Sequence, residues 1–216
     1  MRIAVFGSGT VGETLGSKLI ELGHDVKMGS RSATNEKAAE WVRKSGPRAS
    51  AGTFADAAKF GELIVNATKG DATLEVFRQA GQENTAGKPV IDISNPLDFS
   101  KGFPPTLFVS NTDSLAEQLQ KENPKAHIVK SLNTMTAAVM VNPRALSGSH
   151  DTWLAGNDAG AKEKVRGVLL SFGWKAEEII DCGDLTASRA IESMLPMWLR
   201  LYGALKTPMF NLKIVK

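Results

Sequence analysis

The stretch whose residue types and spacing most directly suggest chemistry is Gly7-Ser8-Gly9-Thr10-Val11-Gly12. It spells G-x-G-x-x-G immediately after the apolar run Ile3-Ala4-Val5-Phe6 and ahead of a helical pattern. The pattern alone is weak, and a strand before it with a helix after it is the context that gives it meaning. In that context Gly7 permits a tight turn, Gly9 lets backbone approach a pyrophosphate, and Gly12 lets the helix pack closely on the strand. The free N–H groups at the helix start, aligned with its dipole, then bind the phosphates. The bland alternative is an ordinary glycine-rich strand-to-helix turn.

A second position bears on which dinucleotide fits. NAD sites carry Asp or Glu at the end of the second strand, where the carboxylate bonds the ribose 2′-hydroxyl. Here that segment reads Val26-Lys27-Met28-Gly29-Ser30-Arg31-Ser32-Ala33-Thr34-Asn35, with no acid before Glu36. A carboxylate would repel a 2′-phosphate. Ser30, Arg31 and Ser32 could bind one, the arginine through its planar fork of donors, and Lys37 adds charge. This predicts NADP(H) over NAD, against the alternative of a solvated loop with an incidental arginine. It also counts against a methyltransferase reading of the first loop, since such sites want an acid there for the ribose hydroxyls.

Ligands of open parallel sheets bind beyond the carboxyl ends of the strands. Three further polar segments follow strand candidates: Asn66-Ala67-Thr68-Lys69-Gly70, Ser94-Asn95-Pro96-Leu97 and Ser131-Leu132-Asn133-Thr134-Met135-Thr136. Thr68, Asn95, Pro96, Asn133, Thr134 and Ala137 are therefore candidate cofactor contacts, although each short amide or hydroxyl could instead cap the next helix. Asp92 reads as a structural bond near a strand end. No acid–base pair, Ser-His-Asp or Cys-His constellation emerges, so no catalytic residue is assigned. The three histidines, His24, His127 and His150, lack metal-ligand spacing, and no metal is expected.

Elements must place these segments. Strands are predicted at Ile3–Phe6, Val26–Met28, Leu63–Asn66, Val90–Ile93 and Ile128–Ser131, reading as continuous apolar runs, with a short piece around Ala49–Gly52 as a further candidate. Helices are predicted at Val11–Leu22, Glu36–Ser45, Ala72–Gln79 and Ser114–Glu122. Alternation of the two implies a parallel sheet with right-handed crossovers. After Ser131 the texture changes, with strands at Thr152–Ala155 and Ala176–Asp181 and a helix at Ala159–Phe172. A last helix runs from about Leu185 to Leu205, with Pro196 predicting a kink or break. The expected architecture is α/β: a doubly wound parallel sheet over residues 1–140 and a small α-rich C-terminal domain over 141–216, packed against it.

The chain has 216 residues, 42% hydrophobic and 23% charged, which suits a folded globular protein. One cysteine, Cys182, excludes an internal disulfide framework and fits a reducing compartment. A net charge of +3 with scattered Lys and Arg argues against nucleic acid as a partner. No stretch reads as a signal peptide or a membrane span. A cytoplasmic protein is expected, with a small-molecule partner. The apolar positions of the last helix and tail suggest either a homodimer or packing on the chain's own first domain.

These residues resemble a known family, the NADP oxidoreductases that use the deazaflavin coenzyme F420. The likeness rests on Arg2 through Gly12, Leu22-Gly23-His24-Asp25 and Gly29-Ser30-Arg31. Toward the C-terminus it continues in Ala155-Gly156-Asn157-Asp158, Gly173-Trp174, Asp181-Cys182-Gly183-Asp184-Leu185, Ser188-Arg189 and Glu192-Ser193. The resemblance implies a Rossmann domain, NADP across the sheet rim with its 2′-phosphate at Ser30 and Arg31, and a deazaflavin cleft against the C-terminal part. Two segments depart from the family. Its members often have His-Thr-x-Pro where this chain has Asn133-Thr134-Met135-Thr136, and Gly-Gly-Thr-Gly-Asn in the phosphate loop. The expected activity is hydride transfer between NADP(H) and a flavin-like acceptor, with an ordinary flavin, a ferric chelate or a non-catalytic NADP-binding module as alternatives. A wall over the nicotinamide is expected from Thr134–Val141 and the last helix, with Met197, Trp198 or Pro208.

Overall fold

A computed structural model describes residues 1–215. Strand and helix alternate through β1 (Arg2–Phe6), α1 (Thr10–Glu21), β2 (Asp25–Ser30), α2 (Glu36–Ser45), β3 (Ala49–Thr53), α3 (Phe54–Phe60), β4 (Leu63–Asn66), α4 (Gly70–Ala80), α5 (Gln82–Thr85) and β5 (Pro89–Asp92). A small hairpin, β6 (Leu97–Asp98) and β7 (Thr106–Leu107), precedes α6 (Leu115–Glu122) and β8 (His127–Lys130). Then come α7 (Ala137–Val141), β9 (Thr152–Gly156), α8 (Ala159–Ser171), β10 (Ile179–Asp181), α9 (Ser188–Ser193) and α10 (Leu195–Leu205).

Eight strands form one sheet in the order β10-β9-β8-β5-β4-β1-β2-β3. The six from β8 to β3 are all parallel, giving the doubly wound order of a Rossmann sheet. The chain moves outward from β1 to β2 and β3, then returns to place β4 on the other side of β1. That reversal opens a crevice at the carboxyl ends of β1 and β4. β9 runs antiparallel to β8, and β10 runs parallel to β9. Residues beyond 140 thus add two strands to the same sheet before continuing into α9 and α10.

Alternation along β1 shows why the sheet is covered on both faces. Ile3 and Val5 join a core with Leu15, Leu19 and Met28, while Ala4 and Phe6 join a second with Phe54 and Phe77. Successive side chains of a strand point to opposite faces, so one apolar strand feeds two cores. Phe6 meets Phe54 and Phe77 edge-to-face, at 5.5 and 5.3 Å between ring centres.

Three local differences from the sequence expectations have identifiable causes. The helix expected over Leu185–Leu205 divides into a 3-10 turn at Leu185–Ala187, α9 and α10, with Met194 between the two helices. Pro196 falls in the first turn of α10, where its missing N–H costs nothing. The strand expected over Ala176–Asp181 begins as a 3-10 turn, because the Glu178 carboxylate accepts from the Lys175 N–H and from Arg144. The sequence reading also missed α3, which is signalled by a Thr53–Asp56 capping box. Among the described residues no helix is long and apolar enough to cross a membrane.

Candidate functional site

The glycine loop joins β1 to α1 at the crevice. Gly7 has φ +110°, a conformation that L side chains rarely adopt. A Cβ on Gly12 would lie 2.0 Å from the Gly7 carbonyl oxygen, so α1 seats directly on the turn. Gly9 is different: among the described residues a Cβ there would meet no atom within 4 Å. The fold does not require glycine at that position, but a ligand lying against the backbone would. The first-turn N–H groups of α1 have no side-chain cap, with Gly9 itself at the N-cap. The helices α2, α3, α6 and α8 are capped by Asn35, Thr53, Ser114 and Asp158, whereas α4 and α7 lack a side-chain cap as α1 does. Uncapped amides in a glycine cradle fit an anionic pyrophosphate. Ser8 is half-buried in the loop, Thr10 is exposed, and Val11 is half-buried against the core beside α7.

At the end of β2, Ser30 is buried and its hydroxyl donates to the Ser32 carbonyl at 2.6 Å, closing the turn. Ser32 Oγ lies 2.8 Å from Thr34 Oγ1. Arg31 is exposed between them. Arg2, Arg48, Arg78, Arg144, Arg166 and Arg189 are ion-paired, and Arg31 is not among them. Lys37 is exposed in the first turn of α2 and borders a hollow between α1 and α2.

The segments following β4, β5 and β8 converge on the rim. A groove of about 850 Å³ is lined by Val11, Thr68, Ile93, Asn95, Phe99 and Phe108, among others. Asn95 Nδ2 donates to the Asn133 carbonyl at 3.0 Å, and Asn133 Nδ2 donates to Asn95 Oδ1 at 2.8 Å. Leu132, fully buried, holds φ +62°, a strained conformation for a branched side chain that turns Asn133 toward Asn95. Pro96 is buried beside them and its carbonyl accepts from the Phe108 N–H, pinning the β6–β7 hairpin to the rim. Thr134 Oγ1 accepts from the Trp153 indole at 3.1 Å. Ala137 is buried in the core at the start of α7, whereas Ala138 is exposed.

A feature the sequence reading missed lies directly behind this rim. Lys130, at the end of β8, is fully buried. Its ammonium sits 2.6 Å from Asp92 Oδ2, 2.8 Å from Glu192 Oε1 and 2.7 Å from the Ser94 carbonyl. It donates a hydrogen bond to the Ser94 carbonyl and forms ion pairs with both carboxylates. Burial pulls the Lys130 pKa down, but the facing Asp92 and Glu192 carboxylates outweigh it and hold the group above the ordinary lysine value. Glu192 also accepts from the Leu115 and Ala116 N–H groups at the start of α6. The network therefore ties β5, β8, α6 and α9 together. In the sequence Asp92 read as a structural bond near a strand end and Glu192 only as part of the family resemblance, while Lys130 carried no signal. Lys130 and Glu192 are 62 positions apart in the numbering, and nothing local pairs them.

The wall expected from the last helix is not in the groove lining. Phe99 and Phe108 of the hairpin region stand there instead, while Trp198 stacks between Tyr202 and Phe210. Phe99 and Phe108 were unremarked in the sequence because the hairpin strands are two residues each.

Comparison with known proteins agrees with this outline. Residues 2–96 match the family described as NADP oxidoreductase, coenzyme F420-dependent. A crystal structure of a provisionally named F420-dependent NADP reductase from Arthrobacter sp. FB24 is 46% identical, with a TM-score of 0.93 and 99% of each chain covered. The F420-dependent NADP reductase of Methanocaldococcus jannaschii is 31% identical over 150 residues, covering 68% of this chain and 64% of that one. Rat metalloreductase STEAP3 is 26% identical over 210 residues, covering 91% of this chain but only 38% of the longer protein.

Proposed function

The chain belongs to the coenzyme F420-dependent NADP oxidoreductase family, and from that premise we propose that it transfers a hydride between NADP(H) and a planar acceptor, the deazaflavin coenzyme F420 foremost. The observation carrying the nucleotide half is the pairing of an uncapped α1 start behind the Gly9 cradle with an acid-free β2 end bearing an exposed Arg31 that has no ion-pair partner among the described residues. Gly7 to Gly12 would hold the pyrophosphate, and Arg31 and Ser32 the 2′-phosphate, with Ser30 closing the turn beneath them and Lys37 adding charge nearby. Thr68, Asn95, Pro96, Asn133, Thr134 and Ala137 would frame the nicotinamide end. The nicotinamide, when bound, would supply or accept a hydride at its C4.

The protein's own part is positioning and exclusion of water. Val11, Ile93, Phe99 and Phe108 give the groove an apolar lining in which a flat ring can stack. Hydride transfer to such a ring needs proximity and orientation more than an acid–base pair, so the absence of such a pair among the rim segments is compatible with turnover.

A second acceptor class has its own support. Asn133-Thr134-Met135-Thr136 departs from the His-Thr-x-Pro of the deazaflavin enzymes, and a metalloreductase is among the relatives. Ordinary flavin and ferric chelates are therefore the rival acceptors. The single exposed thiol, Cys182, suits the cytoplasm. A second copy of the chain would cover the apolar face of α10.

The test is a screen of NADPH oxidation by absorbance against deazaflavin, flavin and ferric acceptors. Fast reduction of deazaflavin with slow turnover of the others is the expected result. Turnover only of flavin or ferric chelate moves the assignment to that class, and NADPH binding without any turnover would leave a binding module.

A further inference from the structure

The buried lysine dictates the hydrogen-bond polarity of one groove residue, and the ligand that this polarity selects rests on the NADP(H) reading of the site. Asp92 faces Lys130 through Oδ2 and, as a carboxylate, can only accept. Its Oδ1 accepts from the Ser94 N–H and hydroxyl and from Asn66 Nδ2, the last at 2.8 Å. The Asn66 amide must therefore turn its NH₂ toward Asp92 and its oxygen toward Thr68. Thr68 Oγ1 lies 2.6 Å from that oxygen and donates its only proton to it. The neighbouring Thr73 hydroxyl, 3.0 Å away, has the Lys69 carbonyl as its own acceptor at 3.1 Å. Whichever way Thr73 turns, Thr68 has no proton left, and at its place in the groove lining it offers lone pairs alone.

We propose that Asp92, held by Lys130, is a positioning residue that acts through Asn66 to make Thr68 an acceptor for a donor on the nicotinamide nucleoside half of NADP(H). Two groups there share that chemistry, the ribose hydroxyls and the carboxamide NH₂. Replacing Asp92 by asparagine reverses the chain. The new amide keeps its oxygen on Lys130 and turns its NH₂ to Asn66 and the Ser94 hydroxyl, giving up the bond from the Ser94 N–H. Asn66 flips in response, and Thr68 becomes the acceptor of Asn66 and a donor toward the groove.

Calorimetric titration with two ligands tests this: NADP⁺, and adenosine 2′,5′-bisphosphate, which lacks the nicotinamide half. Thr68→Val and Asp92→Asn should each weaken NADP⁺ roughly 3- to 10-fold, the worth of one hydrogen bond, and leave the bisphosphate unchanged. Thr68→Ser should restore wild-type affinity, and the Asp92→Asn/Thr68→Val double variant should be no weaker than either single one. The 3-acetylpyridine analogue of NADP⁺ separates the two donors, since insensitivity of its binding to Thr68→Val marks the carboxamide and retained sensitivity marks the ribose. Equal losses for both ligands, additive losses in the double variant, or no loss would overturn the proposal. If Asp92→Asn does not fold, the contrast between Thr68→Val and Thr68→Ser decides alone: loss only in the valine variant supports an acceptor at Thr68, and any other pattern rejects it. Wild-type protein that binds neither ligand would overturn the NADP(H) reading and the proposal with it, an outcome distinct from all the others.

Discussion

Asn95 and Asn133 exchange hydrogen bonds at 3.0 and 2.8 Å, locking the loop after β5 to the loop after β8 at the rim of the sheet. Neither loop has regular structure, so this exchange sets the spacing of the two walls where the nicotinamide end is expected. Asn133→Ala removes the donor to Asn95 Oδ1. Stability should fall by about 1–3 kcal/mol and NADPH affinity should fall with it, as read by urea unfolding and by titration. A variant with full stability and full affinity would mean the exchange is incidental.

Arg31 should decide between cofactors. Loss of a charge-assisted bond to a 2′-phosphate predicts that Arg31→Ala weakens NADP⁺ roughly 10- to 150-fold and leaves NAD⁺ nearly unchanged. Measured dissociation constants for both nucleotides check it, and equal losses would remove Arg31 from the 2′-phosphate site.

Gly9 and Gly12 should separate binding from folding. Gly9→Val adds atoms where the described residues have none within 4 Å of the first carbon, so the melting temperature should hold while dinucleotide binding disappears. Gly12→Ala drives a Cβ to 2.0 Å from the Gly7 carbonyl, so that variant should lose stability as well. Thermal melts beside titrations distinguish the two, and a Gly9→Val protein with wild-type affinity would reduce the loop to a turn.

Lys130→Met strands two buried carboxylates. The cost should be about 3–5 kcal/mol at neutral pH, and Asp92→Asn with Glu192→Gln in the same chain should recover part of it. The pH dependence has a definite sign. The folded pKa of Lys130 is raised above its ordinary value of 10.5, so its contribution is complete below that value and is lost only as pH climbs through the higher folded pKa. Wild-type stability should therefore show no loss from Lys130 between pH 6 and 9, while the variant, left with two neighbouring buried carboxylates, should recover part of its deficit as pH falls and they take up protons. A deficit in the variant that grew on acidification would show that the ion pair is not what Lys130 contributes.

The face of α10 should mediate self-association. The helix buries only Leu195, and Met197 and Leu205 are 61% and 53% exposed. An apolar helix face left open to water is unusual for a monomer. Sedimentation should show a dimer, and Met197→Glu with Leu205→Glu should shift it to monomer at unchanged melting temperature per chain. A concentration-independent wild-type monomer would reject the pairing.

Much of this protein was already legible in the chain. Gly7 to Gly12 after an apolar run located the turn, because only glycine tolerates a φ of +110° at Gly7 and a helix pressed onto the Gly7 carbonyl at Gly12. Strands β1, β4, β5 and β8 were readable because buried parallel strands are continuous apolar runs, and Pro196 marked the break between α9 and α10. What the sequence could not supply were pairings between distant positions. Asp92, Lys130 and Glu192 are each unexceptional locally, and burial in one network requires the parallel register of β5 with β8 and the return of α9 onto α6. The aromatic lining behaved likewise: Phe99 and Phe108 reach the groove through a hairpin too short to leave a periodic signal. Backbone propensity and side-chain alternation act over a few residues and are written locally. Long-range ion pairs and groove walls exist only once the sheet has brought separate strand ends to one edge.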